Sequence, residues 1–85
     1  MLEHKVDVKK ALRAYQKVVD EGIRKGDKYI LSGVSAWSDH DGYSVSLGFG
    51  KVTLQIFFHQ RFSLEAGNRI EAALFLEKLD RVVQS

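Results

Sequence analysis

Cysteine and proline are both missing from this chain. Without cysteine there are no disulfides, no thiolate nucleophile and no thiolate metal site, so hydrophobic burial must carry the stability. Without proline there is no rigid spacer, and nothing in the 85 residues marks an interdomain linker. Long apolar runs are lacking too: none approaches the ~18–20 residues of a membrane span, and no membrane partner is expected. The first residues, Met1-Leu2-Glu3-His4-Lys5-Val6-Asp7, mix charges and lack the continuous apolar stretch of a secretory signal, which leads to an expected cytoplasmic location. What is present, 45% hydrophobic and 28% charged residues, is the balance of one small globular domain. So small a domain is marginal on its own, and its stability must come from packing or from a partner.

The net charge is only +2, but it is unevenly placed. Residues 1–28 hold eight basic side chains against five acidic ones, and the rest of the chain is close to neutral. From Val8, the apolar residues Ala11, Leu12, Tyr15, Val18, Val19 and Ile23 follow in steps of three and four, which predicts a helix over about 8–25. Asp7 would cap its start, and Gly26 after Arg24-Lys25 would close its end. The opposite face gathers Lys9, Lys10, Arg13 and Lys17, a candidate phosphate-binding surface diluted by neighbouring acids. Charge that alternates in sign more often marks a solvated helix face.

After Gly26 the period turns strand-like. Strands are expected over about 28–32 and 34–38 around a Ser32-Gly33 turn, and over 43–49 and 52–58. In the last two, Tyr43, Val45, Leu47 and Phe49 alternate with small residues, and Val52, Leu54, Ile56 and Phe58 alternate with Thr53, Gln55 and Phe57. A two-residue type II′ turn at Gly50-Lys51, preferred to one at Phe49-Gly50 because it hides Phe49, would pair Phe49 with Val52, Leu47 with Leu54, Val45 with Ile56 and Tyr43 with Phe58. These large apolar side chains would then share one face, with Ser44, Ser46, Thr53 and Gln55 turned to solvent. Residues 59–67 read as a connection. Asn68 with Glu71 forms a capping-box pattern opening a second helix over about 69–83. Its stripe, Ala72, Phe75, Leu76, Leu79, Val82 and Val83, is widened by Ile70, Ala73 and Leu74. The expected fold class is α+β, a two-layer sandwich ordered helix, antiparallel meander of three or four strands, helix. In that meander the strand 52–58 would be an unguarded edge, with no charge or proline to discourage pairing. A second copy, a partner strand, a helix or an inserted first strand would have to cover it.

Chemistry-bearing motifs are thin. The loop Ser38-Asp39-His40-Asp41-Gly42 has the composition of a turn. Set on the calcium-loop pattern, it would place Trp37 and Gly48 where carboxylates are required. Gly48-Phe49-Gly50-Lys51 fails as a phosphate loop because it lacks the earlier glycine, the Ser/Thr after the lysine and the following helix. Asp39, His40, Asp41, His59 and Arg61 could form a polar loop site if His59 folds toward His40, although single histidines at strand ends are more often ordinary surface residues. Tyr15 and Tyr29 fall where an apolar body is needed. Trp37, sharing the outer sheet face with Phe57, would make an exposed aromatic patch, and with Phe58 these are candidate partner-binding residues. Otherwise Trp37 anchors the core. Lys51 and Arg61 are the only cations close in sequence to these aromatics, too few for an RNA-stacking platform.

The stretch Gly33-Val34-Ser35-Ala36-Trp37-Ser38-Asp39-His40-Asp41-Gly42-Tyr43, preceded by Gly26-Asp27-Lys28-Tyr29 and followed by a Leu- and Glu-rich helix, resembles a family of small bacterial proteins classed as a domain of unknown function. The likeness spans nearly all of the chain. It implies a bacterial, cytosolic, single-domain protein, and it carries no activity, cofactor or catalytic residue onto these positions. The expected function is that of a noncatalytic protein–protein interaction module whose partner is another protein or a second copy of the chain. Nucleic-acid binding through the first helix is the alternative. No cofactor or metal is expected.

Overall fold

The computed structural model describes residues 7–39, 42–57 and 61–84. Helix α1 spans Val8–Glu21 and begins where the Asp7 Oδ1 accepts the Lys10 backbone N–H at 3.1 Å, so the expected cap is present. Ala11, Ala14 and Val18 form its buried line, flanked by Val8, Tyr15 and Val19.

The helix stops four residues earlier than its apolar stripe suggests. Gly22 is extended, at φ −79° and ψ 173°, and its N–H donates to the Val18 carbonyl at 2.8 Å. Residues Ile23–Lys25 form strand β1, paired with β2 at Lys28–Leu31 through Ile23 opposite Ile30. Gly26, expected as a helix cap, instead sits at φ +64° in the hairpin turn. The reason lies at Gly22: a Cβ there would collide with the Val18 carbonyl oxygen and stand 2.7 Å from that of Ile30. The β2 backbone presses against the helix end, and residues 23–25 gain ladder bonds by leaving the helix.

Ser32 and Gly33 both have positive φ, 53° and 83°, the type I′ turn that matches strand twist. They connect β2 to β3, Val34–Ser38. Strands β4, Ser44–Phe49, and β5, Val52–Phe57, carry the expected register, Phe49 opposite Val52, Leu47 opposite Leu54 and Val45 opposite Ile56. At their turn Gly50 has positive φ and Lys51 does not, as a type II′ turn requires. Tyr43 departs from expectation: it precedes β4 and is 70% exposed. Phe58, its expected partner, lies outside the described residues.

Beyond β5 comes a strand where the periodicity predicts a connection. β6, Arg61–Glu65, pairs antiparallel with β5, so β5 is not the edge. Among the described residues the sheet has six strands in consecutive order, all antiparallel, rather than three or four. Asn68 then caps α2, Arg69–Gln84, its Oδ1 accepting the Glu71 N–H at 2.9 Å. Helix α1 lies over β2, β3 and β4, α2 contacts β5, and the helices pack on each other. The core between them and the sheet gathers Val18, Val34, Ala36, Leu47, Leu54, Ile56, Phe75 and Leu79. The fold class is α+β.

Candidate interaction surface

On the sheet face away from the helices, Trp37 stands opposite Ser46 across the β3–β4 ladder and leans toward Gly48. A Cβ at position 48 would crowd the ring, which would have to give by a few tenths of an ångström. The Lys28 ammonium sits 4.6 Å from the ring centroid, a cation–π contact that closes another side of the indole. Trp37 is therefore half-buried on the outer face, neither a core anchor nor a fully exposed platform. Phe57 shares this face but stands opposite Ser44, displaced from Trp37 in the direction away from Gly48. The two rings share a face without standing opposite one another.

Between them runs a polar network. The Ser44 hydroxyl donates to the Asp39 carboxylate, and the Gln55 amide donates to the Asp39 Oδ2 and to the Ser44 Oγ, each at 3.2 Å. Asp39 also shapes the loop, its N–H donating to the Ser44 carbonyl and its own carbonyl accepting from Gly42. Ser44 and Ser46, expected in solvent, are buried at 1% and 3% exposure. Ser46 is flanked by Trp37 on one strand and Gln55 on the other, and such bulky cross-strand neighbours cover a small side chain between them. Asp39 is thus committed to holding a turn and two side chains. His40, Asp41 and His59 of the expected polar site lie outside the described residues, and Arg61 is exposed on β6. Among the described residues no group of three or more His, Asp or Glu is arranged to hold a metal ion.

The basic face of α1 is less free than its sequence suggests. Lys10 Nζ is 2.6 Å from Asp80 Oδ1 on α2, and the two line a cleft with Asp7, Leu76 and Glu77. The hydrogen bond and charge of Asp80 raise the Lys10 pKa. Lys9 and Arg13 are exposed and Lys17 is half-buried. Nearby, burial raises the pKa of Tyr15 against the opposing effect of a hydrogen bond with Ser38.

Among the described residues apolar surface is exposed on α2 and β6, and singly at Leu12, Ile23 and Tyr43. On α2, Ile70 and Leu74 are 72% and 55% exposed, so the widened stripe is only partly used, and Leu74 borders a groove with Phe49, Lys78 and Arg81. On β6, Phe62 is 41% exposed, on the same side of the strand as half-buried Leu64. Among the described residues no strand lies beyond β6. The signal for this edge in the sequence is the alternation of Phe62 and Leu64 with Arg61, Ser63 and Glu65.

A family model described as a protein of unknown function (DUF3081) matches residues 6–85 of the chain. No curated protein matches, and no solved structure does.

Proposed function

The chain belongs to this family of unknown function, and we propose that it is a noncatalytic protein–protein interaction module that self-associates. The observation that carries the reading is the β6 edge, open among the described residues, with the exposed Phe62 ring upon it. Unpaired edges recruit strands, and apolar side chains at an edge give such pairing a hydrophobic component. Size-exclusion chromatography with light scattering over a concentration series is the test. A mass that climbs toward twice that of the chain supports self-association, and a monomer at the highest concentration reached overturns it.

Nucleic-acid binding through Lys9, Lys10, Arg13 and Lys17 has weaker support. Exposed Lys9 and Arg13 favour it, but Lys10 is already paired with Asp80, and Asp7 and Glu77 line the same cleft. Phosphate binding depends steeply on salt, so no anisotropy change with a labelled single strand at low ionic strength removes this reading.

A further inference from the structure

Resting on the self-association proposed above, we infer that two copies of the chain join through β6, antiparallel and centred on Ser63, to make one continuous sheet. The first ground is the direction of backbone groups. The two-residue turn at Gly50-Lys51 makes Phe49 and Val52 a hydrogen-bonded pair. Along β5 the groups of Val52, Leu54 and Ile56 therefore point toward β4, and those of Thr53, Gln55 and Phe57 toward β6. These last three stand opposite Glu65, Ser63 and Arg61. The N–H and C=O groups of Phe62 and Leu64 are left pointing outward from the edge.

A strand added there must bond to Phe62 and Leu64. For antiparallel pairing of β6 with its own copy, one register uses all four outward groups within the strand: Phe62 opposite the partner's Leu64, and Leu64 opposite the partner's Phe62. The second ground is charge. In that register Arg61 faces the partner's Glu65, and Glu65 faces the partner's Arg61. Both are non-hydrogen-bonded pairs, where facing side chains approach most closely. Ser63, small and polar, meets its counterpart on the two-fold axis. On the helix-bearing face Phe62 pairs with the partner's Leu64, which covers its exposed ring.

The sequence Arg-Phe-Ser-Leu-Glu is thus complementary to itself read backwards. A slip of two residues in either direction sets Arg61 or Glu65 against the partner's Ser63, and a parallel arrangement brings like charges side by side. Charges on an edge usually discourage association; here their opposite signs at the two ends select a reversed copy, an isologous contact. The other edge of the sheet differs. β1 has three residues and two of them, Arg24 and Lys25, are cations, so two copies of it repel.

Sedimentation velocity on the full chain tests the register with Arg61→Glu, Glu65→Arg, their equimolar mixture, and the double variant. Each single variant carries one sign at both ends of β6, and its dimer constant should fall roughly tenfold or more as facing charges become repulsive. In the mixture a strand with glutamate at both ends meets a strand with arginine at both ends, so dimer should return, as it should in the double variant. Single variants that dimerise like the parent place the contact elsewhere and overturn the β6 proposal while self-association stands. A mixture that stays monomeric overturns the register. A parent chain that is monomeric throughout overturns both.

Discussion

The indole of Trp37 occupies the space that any side chain at Gly48 would need: a Cβ at position 48 would stand 3.2 Å from two atoms of the ring. The contact fixes where the aromatic lies on the outer face, and Lys28 adds a second constraint through its ammonium.

Gly48→Val should therefore displace the ring and lower stability by about 1–3 kcal/mol, with Gly48→Ala smaller because the ring need move only slightly. Denaturant unfolding gives the energies, and Trp37 emission should shift to the red in the valine variant. Unchanged emission and stability would contradict the packing.

Gly22→Ala should cost more than either. The Cβ would meet backbone carbonyls from both α1 and β2, which cannot rotate aside as a side chain does. A loss of about 3 kcal/mol is expected, and hydrogen exchange should show it as faster opening at β1 and the end of α1.

Asp39→Ala should remove the acceptor used by the buried Ser44 hydroxyl and by Gln55. Leaving a buried hydroxyl without its partner costs roughly 1–3 kcal/mol. The double variant Asp39→Ala/Ser44→Ala should lose less than the sum of the two single losses; additive losses, measured by thermal unfolding, would show that the two side chains act independently.

Alkaline pH should weaken the fold from two positions with the same sign. Lys10 holds its proton more tightly when folded beside Asp80, so its contribution is full below the ordinary lysine pKa of about 10.4 and is lost as pH rises through the raised folded value. Burial keeps Tyr15 neutral in the fold, while the unfolded chain ionises first, so stability again falls as pH climbs above about 10. Asp80→Asn and Tyr15→Phe should each flatten this decline, and tyrosinate absorbance should show a late-titrating component that Tyr15→Phe removes.

The parts of the molecule legible in the sequence are those in which local pattern and tertiary packing agree. The β4–β5 register follows from strict alternation on either side of Gly50-Lys51, and the start of α2 from Asn68 and Glu71. Ile23 misleads because it lies four residues after Val19 and continues the helical stripe. Its strand conformation is set by Ile30 across the ladder and by the close approach at Gly22, neither of which is local. β6 is obscured differently: its alternation is real but short, and only pairing with β5 distinguishes it from a connection. Burial of Ser44 and Ser46 depends on neighbours from adjacent strands, which no pattern along a single strand can reveal. Among the surface candidates, alternation puts Trp37 and Phe57 on one face, as the structure does, but the polar network separating them needs Asp39, Ser44 and Gln55 to converge.

Consecutive strand order means that each strand can find its neighbour by a short hairpin closure, with no loop that must be threaded across the sheet. The distant encounter is that of α1 with α2, which brings opposite ends of the chain together. Of these contacts it is the one that closes the longest loop, so it carries the largest closure entropy. Shortening either end should slow or abolish that encounter while the hairpins still form, leaving the apolar side of the meander uncovered and prone to aggregate.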